Sequence, residues 1–359
     1  MYLNALHLIQ FRNHPNKKLE FNKKIIGICG KNGTGKSNLL DSIYMLGLTK
    51  SYFNRNDASN IGFNLDGYAI EGIYTEDSLT NKVRIVCRQN EKKEVYYNQT
   101  KYLKLSEHIG KFPCVFISPE KMCLIQDGQS ERRRFLDIIL SQIYPEYLTL
   151  LTHYNKVLAE RNALLKNQFH KAPVDLEVLQ IQDNFLVLYG TKLFHYRSEF
   201  FPTLQTLTKD FYQQLSNGDD GIQLAYHSSL QHQPFEQLLL NNRQRDIELK
   251  RTNIGIHRDE FQFYIDQQPI QNYGSQGQKK SLLLALTLAE WTLLFQHLNK
   301  KPILIIDDLL EHLDQQRLIG FLDILKNDFW QQIFISSPLP QRLQEILIQS
   351  KIPFQIYEI

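Results

Sequence analysis

"GKNGTGKSN", residues 30–38, decides how the rest of the chain is read. Gly30, Gly35, Lys36 and Ser37 stand at the four specified places of G-x-x-x-x-G-K-[ST], a loop whose backbone N–H groups wrap phosphate oxygens. A pattern this short needs its flanks. Before it, "KKIIGICG" is a brief apolar run ending in glycine, suited to a strand covered on both faces. After it, "KSNLLDSIYMLGL" sets Leu39, Leu40, Ile43, Tyr44 and Leu46 at helical spacing. Strand, glycine loop and helix follow in the order a phosphate site needs, because glycine permits the tight turn and the helix N-terminus favours an anion. On this reading Gly30, Lys31, Asn32, Gly33, Thr34, Gly35, Lys36, Ser37 and Asn38 bind a nucleotide. Lys36 faces its β and γ phosphates, and the Ser37 hydroxyl holds Mg²⁺. The bland alternative is a glycine-rich turn with an exposed lysine.

Hydrolysis at such a loop needs a carboxylate at the end of a neighbouring strand. "KPILIIDD" supplies four apolar residues and then Asp307 and Asp308, at the strand end where ligands of parallel sheets bind. Asp307 is expected on Mg²⁺, and Asp308 is expected to position or deprotonate the attacking water. Helix capping is the alternative role for the pair. "YGSQGQKK", residues 273–280, is a second small helix start able to meet an anion, with Gly277 near its opening. One nucleotide does not need two such starts in one subunit unless it is sandwiched between copies.

The bulk of the chain sets the frame. With 359 residues, 42% hydrophobic and 22% charged, it has room for more than one domain and is not a disordered chain. A net charge of +3 neither demands nor excludes nucleic acid. Cys29, Cys87, Cys114 and Cys123 show no C-x-x-C pair, so neither a zinc site nor a disulfide framework is indicated. The polar N-terminus and the lack of an ~18-residue apolar run lead to the expectation of a cytoplasmic protein without a membrane partner. "ALHLIQF", "KLEF", "GYAIEGIY", "KVRIVCRQ", "EVYYN" and "FPCVFIS" read as strands, whereas the pattern from about 130 to about 240 is helical. "GQKKSLLLALTLAEWTLLFQHL" is apolar nearly all round and reads as a buried helix; "QQIFISS" and "PFQIYEI" read as further strands. The expected organisation is an α/β P-loop ATPase head made of residues 1–125 and 246–359, with a helical insertion at 126–245 between its halves. No heptad pattern is sustained, which argues against long coiled-coil arms.

The pairing of loop and second helix start resembles the ABC ATPase head, in which a signature motif of one subunit covers the nucleotide on another. Here Ser275, Gln276, Gly277 and Gln278 would be the signature, with Ser275, Gly277 and Gln278 reaching the nucleotide across a dimer. "EHLD", residues 311–314, stands where such heads carry a dimer-contacting turn. "FRNH", "SPEKMCLIQDGQSERRRFLD", "YNKVLAERNALLK", "GIHRDE" and "SQGQKKSLLLALTLAE", in this order along the whole chain, narrow the resemblance to the RecF family. That resemblance implies an ATP-driven homodimer that binds duplex and gapped DNA near single-strand junctions. It also implies action with RecO and RecR, help in loading RecA, support of the SOS response, weak DNA-stimulated ATPase activity, and a place for Arg12 beside ATP.

The chain departs from the family pattern in places. Glu311 and His312 replace the more usual Ser-Glu of the turn, and Lys279 and Lys280 replace Gln-Arg after the signature. Ser336 and Ser337 stand where relatives have a histidine or threonines that sense the γ phosphate, and the region of Glu120 is where a coupling glutamine would fall. Arg132, Arg133 and Arg134 either grip phosphates or pair internally. His257 and Arg258 suit a structural ion-pair corner better than catalysis. Two other readings stay open: an ATP-gated interaction module with negligible turnover, and a transporter-type ATPase subunit, which the long interval from Lys36 to Ser275 disfavours.

Overall fold

The structure, a computed structural model, describes residues 1–54, 56–126, 128–166, 175–216, 221–310, 313–327 and 329–359. Two compact units divide the chain. The first comprises Met1–Met122, Asp210–Gly218 and Ser275–Ile359, and the second Cys123–Lys209 and Asp219–Gly274.

In the first unit, β1 (Tyr2–Phe11), β2 (His14–Glu20) and β3 (Ile25–Cys29) precede α1 (Lys36–Leu48). After it come β4 (Gly67–Glu76), β5 (Leu79–Arg88), β6 (Glu94–Tyr97), β7 (Thr100–Lys101) and β8 (Cys114–Ile117). Among the described residues β2-β1-β4-β5-β6-β7 form an antiparallel sheet. Its strands alternate, as in β5, where Val83, Ile85 and Cys87 are buried between the exposed Lys82, Arg84 and Arg88. By contrast, β3 and β8 are buried at every position and enter a parallel sheet. α1 touches β4 and β5 of one sheet and, of the other, β8 and the strand Ile333–Ser337, which explains why almost all of it is buried, polar Asp41 and Ser42 included.

In the second unit, α2 (Cys123–Gln126), α3 (Gln129–Ile143), α4 (Pro145–Lys166) and most of α5 (Leu176–Ser216) precede β9 (Gln223–His227) and α6 (Phe235–Leu249). β10 (Glu260–Ile265), β11 (Gln268–Pro269) and α7 (Ile270–Tyr273) complete it. The stretch expected to be helical thus contains a strand. β9 pairs antiparallel with β10, and Tyr226 stacks on Phe261 with centroids 4.9 Å apart. The compact unit that holds β9 and β10 runs to Gly274. Alternation over only five residues, QLAYH, is too brief to stand out from helical surroundings.

Buried charge organises this unit. Arg161, fully buried, donates to Asp183 at 2.7 Å and to Asp246 at 2.8 Å. Arg197 bonds Asp137 and Asp259, each at 2.8 Å, and Tyr226 donates to the same Asp259 carboxylate. His257 accepts or shares a proton with Tyr154 at 2.8 Å, and burial pushes its ring down to about 4, so it is neutral at neutral pH. Within "GIHRDE" the ion pair is that of Asp259 with Arg197, while His257 is neutral and Arg258 donates to the Thr252 carbonyl at 3.3 Å. The arginine run is likewise turned inward in part: Arg132 donates to the carbonyls of Leu124, Ile125 and Phe261, and Arg133 to that of Asp259.

The first unit closes with α8 (Gln276–Leu298), β12 (Ile303–Ile306), α9 (Gln315–Lys326), β13 (Ile333–Ser337), α10 (Pro340–Ser350) and β14 (Phe354–Glu358). α8 is long and apolar enough to span a membrane, but most of that apolar stretch is buried inside the protein. The parallel sheet runs β14-β3-β13-β12-β8. Its order places β13 between the strand that feeds the glycine loop and the strand that ends in Asp307.

Candidate nucleotide site

The loop after β3 turns through backbone shapes that suit glycine. Gly35, which caps α1, has φ 105°, and a side chain there would also strike Asn13 and His14. Gly30, at φ 155°, lies so close to the Ile359 carbonyl that a Cβ would stand 2.3 Å from it. Around these glycines the loop bonds to itself and to its neighbours. Asn13 donates to the Thr34 carbonyl at 2.9 Å, and His14 Nε2 donates to that of Gly35 at 3.1 Å. Lys31, Asn32 and Gly33 stay exposed at the tip, whereas Lys36 is buried, its ammonium 2.9 Å from the Gly30 carbonyl and 3.3 Å from that of Lys31.

Ser37 follows, and its hydroxyl donates to Asp307 Oδ1 at 3.1 Å, joining residues 270 positions apart. Ser336, at the end of the intervening strand β13, reaches both aspartates: its Oγ lies 2.7 Å from Asp307 Oδ1 and 2.9 Å from Asp308 Oδ1. The single hydroxyl proton serves one of them at a time, while the same oxygen accepts from the Asp308 N–H at 2.8 Å. Asp308 holds a left-handed backbone, φ 44°, uncommon for a residue with a side chain and costing roughly 1–2 kcal/mol. Asp307 is 4% exposed, and burial, more than any other influence, raises its carboxyl above the usual range.

A cleft of about 530 Å³ opens here, lined by Ser37, Asn38, Asp307 and Asp308 on one side and by Ser118, Pro119 and Glu120 on another, with Arg12, Phe53 and Asn54 completing it. Ser118 is buried with its hydroxyl unpartnered. Glu120 is exposed, but the next residue, Lys121, bonds Glu290 in the middle of α8 at 2.8 Å, so this wall is anchored to that helix. Arg12 lies on the cleft wall with its guanidinium engaged by Asn38, Asp41, Ser51 and Asn60. Burial drives the Asp41 carboxyl upward against the pull of Arg12. Asp41, Phe53, Asn54 and Ser118 carry no sequence signal of their own; proximity alone brings them in.

The second helix start is equally defined. Ser275 caps α8 in a reciprocal box, accepting from Gln278 N at 3.1 Å while Gln278 Oε1 accepts from Ser275 N at 2.8 Å. Among the described residues, Ser275, Gly277 and Gln278 do not line the cleft beside Ser37. Asp314 caps α9, accepting from Arg317 N at 3.0 Å. Glu311 and His312 lie outside the described residues. Ser337 accepts from Leu339 N at 3.0 Å, a local turn contact.

A glycine loop on a parallel strand, an acidic pair at the end of the second strand over, a capped second helix start and a separate antiparallel sheet define an ATP-binding-cassette type ATPase head. The RecF/RecN/SMC N terminal domain matches residues 2–352. The DNA replication and repair protein RecF of Flavobacterium johnsoniae is 35% identical over 359 residues, covering both chains in full. That of Cytophaga hutchinsonii is 35% identical over 350 residues, 98% of this chain and 92% of its own. Solved structures of the recombination mediator protein RecF-ATPrS and RecF-ATP in the RecFOR pathway superpose with TM-scores of 0.89 and 0.86, at 27% and 29% identity. They cover 100% and 94% of this chain, and 96% and 92% of theirs. An Smc head bound to the C-winged helix domain of ScpA, at 15% identity and TM-score 0.54 over 98% of this chain and 92% of its own, shares the fold. The chain belongs to the RecF family of DNA replication and repair proteins.

Asp307 has a consequence for stability. A carboxyl raised on folding means the native state holds the proton more tightly than the unfolded chain, so stability falls as pH rises from about 3.8 through the raised value. Asp307→Asn, which can still accept from Ser37 and Ser336, removes that penalty. Thermal melts of the metal-free and nucleotide-free protein at neutral pH are expected to show the variant higher by about 2 °C or more; a lower Tm would contradict the assignment of burial as the dominant influence.

Proposed function

We propose that this chain is an ATP-dependent DNA-binding recombination mediator whose nucleotide controls assembly of a homodimer. The observation that carries the reading is the convergence of Ser37, Asp307 and Asp308 at one cleft edge, with Ser275, Gly277 and Gln278 outside it. The residues Gly30 to Asn38 would hold the ATP phosphates, with Lys36 supplying a buried cation. Ser37 and Asp307 offer hard oxygen donors that suit Mg²⁺, an ion that takes few protein ligands and completes its shell with phosphate and water. Among the described residues no group of three or more His, Cys, Asp or Glu forms a metal cage, in keeping with that sparse mode. When bound, Mg²⁺ would neutralise charge between the β and γ phosphates.

Asp308 is the candidate to orient the attacking water, kept in place by Ser336 and by its own strained backbone. Its short side chain argues for slow turnover, so nucleotide acts more as a timer than as a fuel. Ser275, Gly277 and Gln278 of one copy would cover the nucleotide of the other. Duplex or gapped DNA, RecO and RecR, and indirectly RecA, are the partners this reading assigns, because the chain is similar over its full length to RecF proteins of the RecFOR pathway. The same kinship supports a cytoplasmic setting.

Sedimentation with and without Mg-ATP tests the dimer: the wild type shifts from monomer to dimer, whereas Lys36→Met and Ser275→Arg remain monomeric, the latter still binding ATP. A wild type that stays monomeric removes the sandwich. In single-turnover assays Asp308→Ala is expected to slow hydrolysis by about a hundredfold or more; an unchanged rate would take the water-orienting role from Asp308. DNA affinity should fall linearly on a log scale with salt, by roughly 0.9 per phosphate contacted, and an affinity indifferent to salt would refute backbone binding.

A further inference from the structure

Gly277 has an ordinary helical backbone, so its lack of a side chain needs another reason. A Cβ at this position would stand 2.7 Å from Nη2 and 2.9 Å from Cζ of Arg317. That guanidinium is pinned from two other sides. Its Nε donates to Ser281 Oγ at 2.7 Å, and its Nη1 pairs with the Asp314 carboxylate, the group that caps α9 through the Arg317 N–H. One planar side chain therefore touches α8 at residues 277 and 281, successive turns of one face, and the cap of α9. Ser281 is fully buried, which fixes the inner end of the contact. Ser275 and Gln276 are exposed, and the Arg317 side chain is 22% exposed, so the linked helix starts lie at the surface.

We propose that Arg317 is a positioning residue for the half-site that one copy offers to the other's nucleotide: it clamps the start of α8 to the cap of α9, so that Ser275, Gly277 and Asp314 meet a second copy as one rigid element. This rests on the sandwich reading above. Its physical basis is geometric. The reciprocal capping box of Ser275 with Gln278 sets the local shape of the helix start, and a box of this kind does not by itself set a position relative to Asp314. The Arg317 fork supplies that relation, and a lysine, with a single point charge, could satisfy Asp314 or Ser281 but not both along the same plane. Gly277 is then the space the fork needs.

The test uses the full chain with Arg317→Ala, Arg317→Lys, Gly277→Ala and the double variant R317A/G277A. In protein without nucleotide, amide exchange over residues 276–281 is expected to quicken by about fivefold or more in Arg317→Ala and less in Arg317→Lys. Affinity of the monomer for a fluorescent ATP analogue should stay within about twofold, while ATP-driven dimerisation weakens by about tenfold or more. Arg317→Lys should recover part of the dimerisation. In protein without nucleotide, Gly277→Ala alone should quicken the same exchange yet add nothing in the Arg317→Ala background, the mark of a shared contact. Unchanged exchange overturns the clamp. Faster exchange with dimerisation intact, or additive effects of the two substitutions, overturns the positioning role. A wild type that binds the analogue but does not dimerise refutes the sandwich reading itself and with it the role across the dimer, and exchange then decides the clamp alone.

Discussion

β13 lies between β3 and β12, and the site depends on that insertion. Neighbouring strands of a sheet run ~4.8 Å apart, so the ends of β3 and β12 are separated by roughly twice that distance. Ser336, at the end of the middle strand, fills the gap with a hydroxyl that meets both Asp307 and Asp308. From the other side, the glycine loop carries the chain over the sheet edge and sets Ser37 within 3.1 Å of Asp307. Parallel pairing aligns all these strand ends at one edge, which is why residues from three distant parts of the chain converge.

Holding carboxylates in such a place is costly, and the structure offsets the cost locally. Asp41 is buried on α1 itself but faces Arg12, Ser51 and the Tyr52 N–H. The same Arg12 ties the first hairpin to α1 and to Asn60, so the loop is framed on its β1–β2 side by fixed polar bonds. α1 itself is wedged between the two sheets, and little freedom is left at its N-terminus. Buried pairs elsewhere, Lys121 with Glu290 and Arg161 with Asp183 and Asp246, follow the same rule that a desolvated charge must meet its opposite.

Much of this was legible in the residues. The loop, the acidic pair and the second helix start announce themselves because each obeys a local rule: glycine at a strained turn, an apolar run closed by carboxylates, a serine and a glutamine three residues apart. β9 was not legible, because its five residues gain strand character only by pairing with β10 across more than thirty intervening positions. The arginines of "SERRRFLD" were ambiguous for a similar reason: beside the nearby carbonyls of Leu124 and Ile125, the carbonyls that absorb Arg132 and Arg133 are those of Phe261 and Asp259, far along the chain.

The sequence by itself determined that a glycine loop follows a buried strand, that Asp307 and Asp308 end another, and that the family is that of RecF. These are consequences of short-range chemistry, in which neighbours along the chain dictate the backbone. Only the tertiary structure decided that Ser336 joins the two aspartates, that Arg12 is spent on Asp41 and Asn60, and that Gly277 makes room for Arg317. Those contacts depend on strand order and on helices approaching within hydrogen-bond distance, and no spacing along one chain encodes which side chains a fold will bring face to face.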